Sequence, residues 1–154
     1  MSLSFAEFKR PAESGDAEEI KALMARVLAG VIHEEPLAAE MAQNTAANVD
    51  WWLQNPAQCV HLKCVAGGRI VGVVLVKNFW NLCSLFVEPS MQGQGIGRML
   101  LESAIAACHG RSNRGAVWLN ASPNAVSFYR HMGFTLRASD RPMPPGFAAM
   151  EYTL

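Results

Sequence analysis

Leu85-Phe86-Val87-Glu88-Pro89-Ser90-Met91-Gln92-Gly93-Gln94-Gly95-Ile96-Gly97-Arg98-Met99-Leu100-Leu101 decides how this chain is to be read. It runs from a β-rich segment through a proline turn and a glycine-rich loop into an apolar helix. Gly93, Gly95 and Gly97 stand at alternate positions, where the backbone can take unusual φ and ψ and a ligand can approach without Cβ atoms in the way. Their N–H groups can point one way and make an anion nest at the positive end of the helix that follows. Such a loop suits a phosphate or a pyrophosphate; a tight turn without a ligand is the alternative. The spacing G-x-G-x-G is not the G-x-G-x-x-G of a dinucleotide fold, and no acidic residue follows about 20 positions on at a strand end. A Walker loop needs Gly-Lys-Ser/Thr, whereas Arg98-Met99 follow Gly97 here.

Working outward, Cys59 to Ala66 and Arg69 to Lys77 are β-rich runs joined by Gly67-Gly68, a hairpin signal, and Phe79 to Val87 forms a third run. Their consecutive apolar residues suit a sheet covered on both faces. Upstream, Phe5 to Arg10 reads as a short strand. Asp16 with Glu19 makes a capping-box-like start to a helix whose Ile20, Leu23, Met24, Val27 and Leu28 recur at helical spacing up to Gly30. Val31 to Pro36 breaks it, and a second helix spans Leu37 to Gln54. Downstream, helix is predicted from Gly95 to Cys108, strand at Ala116–Leu119 and helix from Pro123 to Met132. Ser122 would cap this last helix and Pro123 would open it. Gly133–Leu136 and Met150–Thr153 close the sheet, with Arg141–Gly146 as a proline-rich loop.

With 154 residues, 51% hydrophobic and 17% charged, the chain is expected to form one α/β domain over 1–154 and is too apolar to be disordered. Thirteen basic and thirteen acidic residues cancel, which removes a global electrostatic case for nucleic acid. No apolar run reaches membrane-helix length, and the start lacks signal-peptide features, so a cytoplasmic location is expected. Cys59, Cys64, Cys83 and Cys108 form no metal-binding or disulfide pattern and read as small buried apolar residues; no metal is expected. The charge is uneven: residues 1–58 carry a net −5 and residues 59–154 a net +5. That arrangement suits a cationic substrate facing an anionic cofactor, or simply ordinary solvated faces.

Gln92-Gly93-Gln94-Gly95-Ile96-Gly97 resembles the Gln/Arg-x-x-Gly-x-Gly/Ala signature of the GNAT superfamily of acyl-CoA-dependent N-acetyltransferases. Leu85-x-Val87-x-Pro89 is similar to that family's fourth strand, and Ala125-x-x-Phe128-Tyr129-x-x-x-Gly133-Phe134 to its motif after the fifth. The resemblance implies a mixed, mostly antiparallel sheet flanked by about four helices, with strands four and five parallel and splayed. It implies acetyl-CoA as co-substrate: pyrophosphate on the amides of Gln92 through Arg98, and pantetheine along Leu85, Phe86 and Val87. Ser122 stands where many members have asparagine, so Asn124 is an alternative side-chain contact. Tyr129 matches the tyrosine that protonates the departing thiolate in many members, and a core aromatic is its plainer reading.

Members with a carboxylate base often carry glutamate where Asn81 or Cys83 stands here, so no base is visible on that strand. His33, Glu34 and Glu35 fall where the family builds its acceptor site and, with Asn81, are the candidate acceptor-binding residues. Glu88 is expected to face solvent. The implied activity is direct acetyl transfer to a primary amine of a small molecule, amino-acid derivative or peptide, by a monomer or homodimer. A non-catalytic acyl-CoA-binding module is the rival reading.

Overall fold

The computed structural model describes residues 9–31, 36–139 and 141–154. Among these residues seven strands form one sheet in the order β1-β2-β3-β4-β5-β7-β6: β1 Lys9–Pro11, β2 Cys59–Ala66, β3 Arg69–Lys77, β4 Asn81–Val87, β5 Ala116–Ala121, β6 Thr135–Leu136 and β7 Ala148–Thr153. Four α-helices accompany them: α1 Ala17–Val31, α2 Leu37–Gln54, α3 Ile96–Cys108 and α4 Val126–His131. Every strand pair is antiparallel except β4–β5. Among the described residues no helix is long and apolar enough to cross a membrane.

The β2–β3 hairpin closes on Gly67 and Gly68 at φ 59° and 74°, the two left-handed positions that a two-residue primed turn demands. β3 is buried along Ile70–Val76 because helices cover both its faces. On one face Ile20, Leu23 and Met24 of α1 and Val49 and Trp52 of α2 pack on Ile70, Val73 and Leu75. On the other, Ile96, Leu100 and Leu101 of α3 meet Val71, Val74 and Val76, and the same core continues to Tyr129, Phe134 and Met150. Removing a buried leucine such as Leu100 from a core of this kind costs about 2–5 kcal/mol. Gly72 lies directly beneath α3: a Cβ there would stand 2.9 Å from both Ile96 Cγ2 and Leu100 Cδ1.

Several boundaries differ from expectation for identifiable reasons. β4 begins at Asn81 rather than Phe79, because Asn78 and Phe79 form a left-handed turn at φ 54° and 64°. The cap expected between Asp16 and Glu19 is instead closed backwards: the Glu13 amide donates to Asp16 Oδ2 at 2.8 Å. Glu19 crosses to the sheet and accepts the Ile70 amide at 2.7 Å. Residues 123–125 form a turn, so α4 starts at Val126, and the Ser122 hydroxyl donates to Asn124 Oδ1 at 2.7 Å instead of capping the helix.

β4 and β5 share a single paired position, Asn81 with Trp118. The Trp118 amide also donates to the Trp80 carbonyl at 2.6 Å. At this apex Arg114 lies 3.6 Å over Trp80 and 4.5 Å over Trp118, and Arg137 lies 4.2 Å over Trp118. Beyond it the two strands diverge, leaving main-chain groups of β4 without a strand partner.

Candidate functional site

The divergence opens a cavity of about 500 Å³. Leu85, Phe86, Val87, Gln92, Gly93, Gly95, Ile96, Gly97, Arg98, Ser122, Asn124 and Tyr129 all contribute to its lining. Of the residues singled out from sequence, Gln94 and Asn81 are not among the lining residues, and Asn81 sits at the closed apex. His33, Glu34 and Glu35 lie outside the described residues.

Register determines which groups β4 presents. The Glu88 amide donates to the Val71 carbonyl at 2.8 Å, which makes 71/88 a hydrogen-bonded pair. Antiparallel alternation then turns the N–H and C=O of Phe86 toward β3 and those of Leu85 and Val87 toward β5. The Val87 carbonyl accepts the Gln92 side-chain amide at 3.1 Å, which locks the start of the loop against the strand. Leu85 and Val87, but not Phe86, therefore offer main-chain groups to the cleft.

The loop keeps its donors free. The Met91 amide bonds to the Glu88 carbonyl and the Gln92 amide to that of Pro89, and the next backbone pairing along the chain is Met99 to Gly95. The six intervening amides, Gly93 to Arg98, have no backbone partner among the described residues. Gly95 takes φ 87° at the cap of α3, and a Cβ on Gly93 or Gly95 would meet nothing within 4 Å. Gly97 is different: it has no left-handed φ, and its missing side chain only spares ordinary contacts with Val87 and Phe128. With no acidic residue in the first turn of α3, nothing offsets the partial positive charge at the helix end. This is an electropositive row of donors open to an anion. Arg98, at the rim, spends its Nε on Glu102 Oε1 at 3.0 Å.

Tyr129 stands on α4 opposite the loop, 8% exposed and packed edge-on between Phe128 and Phe134. Burial pushes its phenol above the ordinary value, so it stays protonated through the neutral range. Cys83 also borders the cavity, but burial raises its thiol to about 11 and its Sγ donates to the Leu75 carbonyl at 3.6 Å. A thiolate nucleophile is not available there at neutral pH. No Asp, Glu or His of the described residues lines the cavity.

Glu88 does not face solvent as expected. Arg26 of α1 pairs with it, Nη2 to Oε2 at 2.7 Å and Nε to both oxygens at 3.3 Å, and holds its carboxyl below the usual range. The contact spans 62 positions, so sequence carries no local signal for it. Val27, Leu28 and Val31 of α1, Met41 of α2 and Phe147 also reach the cavity. Helical periodicity marked Val27 and Leu28 as core and Val31 was expected in the break after Gly30, whereas α1 runs on to Val31, so nothing in the sequence singled out the turn that meets the cleft.

A mixed sheet split at one parallel pair, with a glycine loop of free amides at the split, is the architecture of an acetyltransferase domain. The chain belongs to the GNAT family, whose acetyltransferase domain it matches over residues 13–143. Over 86 residues it is 35% identical to serotonin N-acetyltransferase 2, chloroplastic, of Oryza sativa subsp. japonica. That stretch is 55% of this chain but 41% of the relative, so the match spans less than half of that protein. Among solved structures, a GCN5-related N-acetyltransferase from Rhodopseudomonas palustris superposes with TM-score 0.77 at 18% identity, covering 95% of this chain and 94% of the other. The PaiA N-acetyltransferase from Thermoplasma acidophilum in complex with coenzyme A follows at 0.72 and 18%, covering 95% and 98%.

Proposed function

We propose that this protein transfers the acetyl group of acetyl-CoA to a primary amine by direct attack in a ternary complex. The observation that carries the reading is the run of six free amides, Gly93 to Arg98, at the electropositive end of α3. A diphosphate fits this row in charge, in donor count and in the absence of Cβ atoms in front of Gly93 and Gly95. The relationship to N-acetyltransferases, and the coenzyme A bound to the Thermoplasma neighbour, support the same ligand.

In this reading Leu85 and Val87 hold the amide-bearing pantetheine arm on the β5 side of β4, and Ser122, Asn124 and Arg98 border it. The thioester supplies the activated acetyl group. Val87 directs its main-chain N–H at the carbonyl oxygen as negative charge develops there. Tyr129, whose phenol keeps its proton at working pH, holds that proton for the departing sulfur. Most of the acceleration comes from holding two substrates together in the wedge. The free thiols of Cys59, Cys64, Cys83 and Cys108 are in keeping with a cytoplasmic setting.

Two measurements test the proposal together. Titration with acetyl-CoA by calorimetry should give saturable heat, and thiol release should depend on added amine. Binding without amine-dependent release would favour an acyl-CoA-binding module; no binding would remove both readings.

A further inference from the structure

We infer that the acceptor is an amine carried on an uncharged apolar skeleton, an aryl- or long alkylamine, rather than a polycation; this rests on the acetyl-transfer reading above. Among the described residues, Val27, Leu28 and Val31 of α1, Met41 of α2, Phe86 and Phe147 supply an apolar wall of the cleft. These are branched, thioether and aromatic side chains, which recognise hydrocarbon and offer a second ammonium nothing to bond.

Among the described residues, no acid of positions 1–58 lines this cleft. Asp16 binds Lys63 Nζ at 2.6 Å, and Asp50 binds Lys21 at 3.0 Å. Glu19 is committed to the Ile70 amide, and the Glu18 side chain is 91% exposed beside Lys21. Glu88, the acid nearest the loop, is held by Arg26. These acids are thus spent on structural pairs and solvated faces. The described residues of α1 and α2 that line the cleft are apolar, and Ser84 and Asn120, which also line it, are neutral.

The test is an amine panel at saturating acetyl-CoA: 2-phenylethylamine, tryptamine and hexylamine against ethanolamine, spermidine and a lysine-containing peptide. A hydrophobic pocket distinguishes ligands by about 10–200-fold per methylene. The apolar amines should therefore exceed ethanolamine and spermidine in kcat/KM by at least about tenfold. Met41→Gln and Phe147→Ser, both at partly exposed positions, should raise KM for 2-phenylethylamine and leave acetyl-CoA affinity unchanged. Equal or reversed preference, or variants that leave that KM unaltered, overturns the inference while the acetyl-transfer reading stands. If no amine releases thiol, the acetyl-transfer reading itself is lost. Calorimetry of 2-phenylethylamine and spermidine into the coenzyme-A-loaded protein then still judges the wall: tighter binding of spermidine, or no binding of 2-phenylethylamine, refutes it.

Discussion

Gly72→Ala is the most informative single substitution, because it pushes on the row of free amides from beneath, through the side chain of Ile96. Its Cβ would sit 2.9 Å from Ile96 Cγ2 and from Leu100 Cδ1, about 0.6–1.1 Å inside a comfortable carbon–carbon separation. Ile96 and Leu100 are 1% and 0% exposed, so neither methyl has free space to turn into. Overpacking of this kind costs about 1–3 kcal/mol, offset by about 0.5–1 kcal/mol from replacing a strand glycine. A net loss of about 0.5–2 kcal/mol follows, relieved by lifting the first turn of α3 off the sheet. Ile96 is also one of the six free donors, so the row rises with it. A misplacement approaching 1 Å weakens a positioned interaction by about 10–100-fold, and the coenzyme A Kd should rise in that range.

Urea denaturation reports the first quantity and calorimetry the second, with Gly97→Ala as control. At Gly97 the added Cβ meets Val87 at 3.6 Å and Phe128 at 3.8 Å, ordinary contacts, and stability should hold or improve slightly. Wild-type stability and affinity in Gly72→Ala would refute the idea that this position sets the height of α3. Lost stability with unchanged affinity would refute the diphosphate role of the row.

Tyr129→Phe should lower kcat by about 10–100-fold with coenzyme A affinity nearly intact, read by thiol release and calorimetry; an unchanged kcat removes Tyr129 from the acid role. Because burial raises that phenol above its ordinary value, loss of the acid form lies beyond about pH 10, and the rate should show no descending limb below it. With no carboxylate or imidazole of the described residues in the cavity, kcat/KM should rise about tenfold per pH unit toward the amine's own pKa. An inflection near pH 6–7 instead would assign a protein base. His61, buried against Trp52, has its pKa lowered to about 4 by desolvation, which the charge of Asp16 only partly opposes. A depressed histidine leaves stability intact above about pH 6.5 and lost as pH falls toward the folded value, about 3 kcal/mol in all. Urea midpoints that do not fall between pH 7 and 4.5 would contradict a neutral buried His61.

The segment from Leu85 to Leu101 carried the fold because backbone demands are local: a strand, a turn, glycines and an apolar helix each leave a mark within a few residues. The Gly67-Gly68 hairpin and both ends of α2 were readable for the same reason. Pairing over distance left no such mark. Arg26 and Glu88 are 62 positions apart, and the choice of Leu85 and Val87 over Phe86 depends on a hydrogen-bond phase set by Val71. The charge asymmetry says little about the cleft, because a sum over residues ignores that Asp16 and Lys63, from opposite halves, neutralise each other inside the fold. Asn78 and Phe79 took left-handed angles that composition alone favours at glycine, which shortened β4 by two residues.

The single rung between Asn81 and Trp118 makes the two half-sheets a pair of levers on one pivot. From Asn81 to Val87 the arm is about 20 Å long, so a tilt of about 3° at the pivot moves its tip by about 1 Å. The guanidinium–indole stack of Arg114, Trp80 and Trp118 is what stiffens that pivot. Cleft width is therefore adjustable from residues that are no part of its lining, and lineages or designers seeking a roomier cleft would find their leverage at the tryptophans.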